Sequence, residues 1–387
     1  MREFTARRIL AAGGSPTVAL NSKGIAMQEA GRDILSFAAG EPCFDTPEPI
    51  KLAAIRAIEE NNTHYTSAAG ISALRERIAR KLREENGIPA EADGVIVTPG
   101  AKLAMLQAIL AFLEEGDEAI ILTPAYPSYR SAILLAGASC VPVPLSFDDG
   151  FRVTREMLEA HVSARTKMLI VCSPCNPTGH VLSEEEVNAI VAFAADHEIL
   201  VLSDEIYETI LFDGRKHRSL GAVPTISDRV ITINGLSKSA AMTGWRIGYS
   251  FASPELTKAM MKLQTNTVNC TAAFTQIAAI TAFDCADEMH TMKEEYRRRR
   301  DFICDGLNAI PGVTCPRAEG AFYAFFRIEH QNMTSEELAD WILDKTGVLL
   351  VPGTAFGAGG EKCLRMSFAA SMEKLEEALR RLQKLFS

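Results

Sequence analysis

Lys238 stands in Asn234-Gly-Leu-Ser-Lys238-Ser-Ala-Ala-Met-Thr-Gly-Trp-Arg246-Ile-Gly248, an amine just past an apolar run with a guanidinium a short turn later. A lysine so placed can form an imine with an aldehyde cofactor, and the arginine can clamp that cofactor's phosphate. Upstream, Asp204 and Tyr207 lie in Ser203-Asp-Glu-Ile-Tyr207. A carboxylate at the end of an apolar strand can hold the proton of a ring nitrogen and keep the ring electron-poor, although an acidic helix cap would read the same way. Tyr207, three residues on, can reach a ring oxygen. Asn176 sits in Ser173-Pro-Cys-Asn-Pro-Thr-Gly179, where flanking prolines stiffen a turn that could aim its amide at a ring oxygen or a substrate carboxylate. In Thr98-Pro-Gly100-Ala-Lys-Leu-Ala-Met-Leu106 a helix opens directly after Val95-Ile-Val97, so free N–H groups at Ala101 and Lys102 would face an anion. Each feature alone has an ordinary structural explanation; together they form a constellation.

The elements that must position these residues can be read from periodicity. Ala119–Thr123, Met168–Cys172, Ile199–Ser203, Val230–Asn234 and Ile247–Phe251 read as strands, several covered on both faces, with Lys238 expected on a later strand. Leu103–Leu113 and Glu184–His197 have helical spacing. Such alternation predicts an α/β fold whose mostly parallel sheet is covered by helices and binds ligands at the strands' carboxyl ends. Farther on, 286–310 reads as one long amphipathic helix ended by Pro311-Gly312; Ala321–Ile328, Val348–Val351 and Cys363–Phe368 are strand-like; Ser335–Lys345 and Ser371–Phe386 are helical. We therefore expect a large domain over 47–285 and a smaller α/β domain over 286–387, to which an N-terminal segment, 1–46, contributes. The Gly/Pro clusters at Gly40-Glu-Pro42, Pro352-Gly353 and Gly357–Gly360 read as ordered turns facing a cleft.

Composition narrows the function classes. A chain of 387 residues with a net charge of −9 does not fit a nucleic-acid binder, and its one dense basic run, Tyr296–Arg300, reads as the solvated part of the long helix. The basic stretch Met1–Leu10 lacks the apolar core of a secretory signal, and no apolar segment is long enough to span a bilayer. Nine cysteines, an odd number, fit reduced thiols in the cytoplasm better than a disulfide framework. Cys172-Ser-Pro-Cys175 has C-x-x-C spacing but no second pair and no nearby histidine cluster, so no metal site is expected.

The segment around Lys238 resembles the lysine signature of the pyridoxal-phosphate (PLP) aminotransferases of the aspartate aminotransferase superfamily, and the resemblance is nearest to their prokaryotic aspartate branch. It extends from Gly40-Glu-Pro-Cys-Phe-Asp-Thr-Pro47 to Leu364-Arg-Met-Ser-Phe368, with the Asn-Pro-x-Gly loop, the Asp-x-x-Tyr pair and the lysine in family order. It implies the PLP-dependent transferase fold (fold type I) and a homodimer. Lys238 would hold PLP and shuttle the proton; Asp204 and Tyr207 would serve the ring; Ala101, Lys102 and Arg246 would seat the phosphate with Tyr65 from the other subunit. Tyr126 would stack on the ring, Arg365 would take the substrate's α-carboxylate with Asn176 and the Gly40 turn nearby, and Lys102 is implicated in recognising a distal carboxylate. One departure is Gly235, where many relatives have serine, which would weaken phosphate binding.

These residues imply transamination between an L-amino acid, aspartate or glutamate first, and a 2-oxo acid such as 2-oxoglutarate. Tyrosine rather than tryptophan at 126 keeps aromatic amino-acid or prephenate transamination open. A PLP-dependent C–S β-lyase and a non-catalytic PLP-binding regulator are the remaining alternatives.

Overall fold

The computed structural model describes residues 4–330 and 332–387; of the basic amino-terminal stretch, Met1–Glu3 lie outside the described residues. Thirteen strands occur among the described residues: β1 Leu35–Ser36, β2 Val95–Thr98, β3 Glu118–Thr123, β4 Ser139–Pro144, β5 Thr166–Cys172, β6 Leu200–Asp204, β7 Val230–Gly235, β8 Gly248–Phe251, β9 Val313–Thr314, β10 Tyr323–Ile328, β11 Val348–Leu349, β12 Val351–Pro352 and β13 Cys363–Ser367. Seven form one sheet in the order β2-β8-β7-β6-β5-β3-β4. In the inner strands the side chains are buried on both faces, as in β7, where all six residues are buried, while β4 at the edge is largely exposed. That is why the inner strands read as continuous apolar runs.

The sheet is mostly parallel, as expected, but β8 runs antiparallel to both β7 and β2. Only residues 236–247 join β7 to β8, and they hold no helix. A parallel return usually needs a helical crossover that carries the chain back along the sheet, and with no helix in this link β8 returns antiparallel. Strands β5 and β6 are in register at Cys172 and Asp204, which puts their carboxyl ends at one edge. The turns after β5, β6 and β7 carry Asn176, Tyr207 and Lys238. Two boundaries differ from the sequence reading: Asp204 is the last residue of β6 rather than the one after it, and Lys238 lies in a turn three residues past β7, not on a strand.

A second, antiparallel sheet has the order β12-β13-β10-β9, and β1 pairs in parallel with β11. The run read as one strand over Val348–Val351 divides at Leu350, its first half pairing with β1 and its second with β13. Through β1 the N-terminal segment is tied to the C-terminal part of the chain, while the helix Arg7–Ala12 rests on the helix Ser128–Leu135 beside the large sheet.

The reading of Tyr296–Arg300 as solvated is overturned. In the helix Ala286–Asn308 the buried face includes Met292, Tyr296, Arg299, Arg300 and Ile303, and only Arg297 and Arg298 face outward. Arg300, 1 % exposed, forks onto Asp213 with contacts of 2.6 and 3.0 Å and lies over the Phe212 ring. Helical spacing of three and four puts 292, 296, 299 and 303 on one stripe, so the arginines are sorted by face rather than by charge. The turns at Gly353 and Gly357–Gly360 do not face the cleft either. They lie outside the cleft lining and cross each other closely, a β-carbon at Gly353 overlapping Gly360 O.

Candidate active site

A cleft of about 410 Å³ opens at the carboxyl edge of the large sheet and is lined by Gly40, Ala101, Lys102, Tyr126, Asn176, Asp204, Tyr207, Lys238, Arg246 and Arg365. All but one of the site residues predicted from sequence therefore meet there. The exception is Tyr65, which is 88 % exposed and outside the cleft of its own chain.

Lys238 Nζ donates to Gly40 O at 2.6 Å. Burial lowers its pKa to about 8; Glu41 pulls upward, while Arg246 and Arg365 push down as like charges. A lysine amine in this range can both accept and return a proton near neutral pH. Asp204 is enclosed, and desolvation raises its carboxyl to about 6 against the opposing hydrogen bond from Tyr129. Its oxygens accept from Tyr129 Oη at 2.7 Å and from Ile206 N at 3.2 Å, both neutral donors. A buried carboxylate so placed suits a cationic N–H as its further partner.

At one end of the cleft, the helix Ala101–Phe112 begins without a side-chain cap, since Gly100 with φ +85° occupies the N-cap position. A β-carbon at Gly100 would overlap the Arg246 guanidinium, and one at Gly248 would overlap Ala101 N. Two glycines thus let a helix N-terminus and an arginine converge, which makes an anion seat from independent parts. Ser237, buried and unremarked in the sequence reading, lines the same cleft. Gly235 faces Gly248 across the β7–β8 pair, and a β-carbon there would sit 3.0 Å from Gly248 Cα and Ile247 O. Gly235 thus sits at a close backbone crossing.

At the other end, Arg365 is 2 % exposed on β13, between β12 and β10, and is not an edge-strand residue facing solvent. Its guanidinium lies 4.5 Å from the Tyr323 ring centroid and 4.9 Å from that of Phe356. Nη1 donates to Asn176 Oδ1 at 3.1 Å, Nη2 donates to Ala38 O, and Nε is buried with no partner. A guanidinium has five N–H donors, so donors remain for a planar carboxylate. Tyr207 donates to or accepts from Tyr323 Oη at 2.7 Å, and burial holds both phenols protonated, Tyr323 being pushed up to about 12. Sequence reasoning missed Tyr323; the signal was Gly40, where a β-carbon would overlap that hydroxyl. Tyr129 was missed as well, being one of many apolar-face aromatics until its contact with Asp204 is seen. Lys102 is exposed at the rim with Nζ 5.5 Å from the Tyr126 ring centroid, and Tyr126 packs edge-on against Tyr129.

Cys172 lines the cleft, and all nine cysteines are free. The cluster of metal-ligand type found among the described residues is instead Glu205, Glu208 and His217, and Lys81 Nζ already contacts Glu208 there.

A buried amine poised near neutrality, a carboxylate awaiting a cation, an anion seat and a planar guanidinium in one cleft fit a phosphorylated aldehyde cofactor of the pyridine type. The comparisons with known proteins agree. Residues 32–382 match the family model described as aminotransferase class I and II. The chain is 41 % identical to the aspartate aminotransferase of Pyrococcus abyssi, over 92 % of each chain, and 38 % identical to aromatic-amino-acid aminotransferase 2 of Thermococcus litoralis, over 91 % of each. It superposes on the aspartate aminotransferase of Thermus thermophilus, solved with maleate, with a TM-score of 0.95 at 37 % identity over the whole of both chains. With its mostly parallel sheet and these neighbours it has the fold type I architecture, is an enzyme, and belongs to the class I and II aminotransferase family.

Proposed function

We propose that this aminotransferase binds PLP in the cleft and moves the amino group of a dicarboxylic L-amino acid, aspartate or glutamate, to a 2-oxo acid such as 2-oxoglutarate. The observation that carries the reading is the placement of Lys238 in one cleft with the Arg246 anion seat and the Arg365 guanidinium. When bound, PLP supplies an aldehyde to capture the amine and an electron-poor ring to take up the charge left by proton removal. The Ala101 and Lys102 amides and Arg246 would bind its phosphate, Asp204 would hold the ring-nitrogen proton, Tyr207 and Asn176 would face the ring oxygen, and Tyr126 would cover the ring. Arg365 grips the α-carboxylate in a bidentate pair, and Gly40 closes that side. Lys238 Nζ then takes the proton from the substrate's Cα and returns it, as a base and acid of matched pKa. Lys102, at the rim, meets the distal carboxylate.

The domain division is proposed with it: 47–285 as the large domain, and 1–46 with 286–387 around the small sheet, a grouping supported by the β1–β11 pair. A homodimer is proposed because Tyr65 is exposed away from its own chain's cleft and the helix Glu48–Glu59 exposes Leu52, Ile55 and Ile58. The cytoplasm is proposed as the location, consistent with nine free thiols; among the described residues no helix is long and apolar enough to cross a membrane.

The purified protein is expected to absorb in the visible, and borohydride reduction with peptide mapping should fix the cofactor to Lys238. A label on another lysine, or no retained PLP after reconstitution, rejects the assignment. Aromatic donors are the second reading, favoured by Tyr126 and by the contact of Lys102 with its ring. Lys102→Met should cut kcat/KM for aspartate by about 10- to 100-fold, the worth of a hydrogen bond to a charged group, and spare phenylalanine. An equal loss for both donors would give Lys102 to the phosphate instead.

A further inference from the structure

His180 follows the Asn176–Gly179 turn and takes no part in the chemistry above. Its side chain is 13 % exposed and lies between carboxylates from two separate parts of the fold. Nε2 is 2.9 Å from Glu186 Oε1, in the first turn of the helix Glu184–Asp196, and Nδ1 is 3.3 Å from Glu319 Oε2, in the segment leading into β10. A neutral imidazole donates at one nitrogen only. Acceptors at both nitrogens call for the imidazolium.

The same two segments are laced together by the backbone. Glu319 N and Gly320 N both donate to Gly179 O, Val181 N donates to Glu319 Oε2, and Gly320 packs against Pro174. The turn between Pro174 and Gly179 carries Asn176, whose Oδ1 accepts from Arg365. The segment after Glu319 becomes β10, which carries Tyr323 against the other side of the Arg365 guanidinium.

We propose that His180 is a positioning residue for substrate binding: its imidazolium, clamped between Glu186 and Glu319, locks the Asn176 turn to the start of β10 and so holds Asn176 and Tyr323 together around Arg365. The proposal rests on the reading in which Arg365 takes the substrate's carboxylate. Glu186 is further committed, accepting from Val153 N and Ser183 N, so its position does not depend on His180. Glu319 is shared with Arg215 from the connection between β6 and β7. Across a small cavity the ring faces Cys172, Cys175 and Tyr129, all held protonated by burial, so the charges acting on it are the two carboxylates and, beyond them, Arg215. Desolvation pulls the imidazole down, but hydrogen bonds to Glu186 and Glu319 outweigh it and raise it to about 9. The clamp is therefore charged at neutral pH and comes apart as pH rises through that value.

The test is steady-state kinetics of the holoenzyme with aspartate and 2-oxoglutarate between pH 7 and 10. His180→Gln keeps one donor and loses the charge. Its KM for aspartate should rise about 5- to 10-fold at pH 7.5 with kcat within about twofold, the pattern of weakened uniform binding, and PLP retention should be unchanged. As the wild-type imidazolium loses its proton above about pH 9, the wild-type KM should rise to meet the variant's and the ratio of the two should fall towards one. Lys238 titrates in both proteins, so the difference between them isolates His180. Glu319→Gln, which leaves the Glu186 contact, should move the wild-type rise to lower pH and covers the case in which His180→Gln does not fold. A folded His180→Gln enzyme with the wild-type KM and the same alkaline rise overturns the proposal, as does a loss confined to kcat or to cofactor retention. Arg365→Lys separates the two readings. If it raises KM and His180→Gln does not, only the His180 proposal fails; if Arg365→Lys leaves KM alone, the carboxylate reading fails first.

Discussion

At the scale of single residues, the site works by moving the pH at which its buried groups gain or lose protons towards neutrality. Lys238 is the sharpest case, since burial brings its pKa from 10.5 to about 8. The unfolded chain binds the extra proton between those values, so without cofactor the protein should gain stability as pH rises from 8 towards 10.5, and the penalty is fully present below 8. Lys238→Met removes the buried charge at nearly constant shape. It should stabilise the cofactor-free protein at pH 7 by up to about 3 kcal/mol, less the lost bond to Gly40 O, and have little effect near pH 10.5. Urea melts of both proteins at the two pH values check this, and a variant less stable at pH 7 would contradict it. Asp204→Ala should leave the fold intact and lower kcat by about 100- to 1,000-fold, as for other preorganised electrostatic contacts, with near wild-type turnover as the refuting result.

At the scale of elements, the anion seat depends on how closely β8 passes the start of the helix Ala101–Phe112. Gly248 makes that possible, because any β-carbon there would overlap Ala101 N and Gly100 C, atoms of backbone that cannot rotate away. Gly248→Ala should therefore displace the helix start, weaken PLP binding by 10-fold or more, and cost about 1–3 kcal/mol of stability, the range for overpacking a close contact. Gly235→Ser would place a side chain at a tight 3.0 Å from Gly248 Cα. It should cost stability unless β7 and β8 spread apart, and equilibrium dialysis of PLP beside a thermal melt would separate that cost from any change in cofactor binding.

At the scale of the whole molecule, one chain presents a cleft that lacks Tyr65, while Tyr65 and the apolar Leu52, Ile55 and Ile58 stand exposed. A two-fold dimer would supply that tyrosine to the partner's cleft and cover the apolar side chains. Tyr65→Ala and Lys238→Ala are each expected to be nearly inactive, but chains of the two kinds, unfolded and refolded together, should recover roughly one quarter of wild-type activity, because half the dimers are mixed and each holds one complete site. No recovery on mixing would mean that each site is built from a single chain.

The sequence determined the strand-helix alternation, the order of the chemical groups and their placement at strand ends, because burial on both faces writes continuous apolar runs and turns need proline, glycine and asparagine at fixed places. Asp204, Asn176 and Lys238 could be picked out because each closes such a run. Tertiary structure alone decided what depends on approach from a distant part of the chain. Tyr323 becomes part of the site because β10 crosses Gly40; Arg299 and Arg300 are buried because their helix turns that face inward; β8 runs backwards because its link holds no crossover helix. Likewise His180 looks like any turn histidine until Glu186 and Glu319 close on it from opposite sides. A residue's type and local pattern are carried by its neighbours in sequence, whereas its charge state and partners are set by which other segments desolvate it.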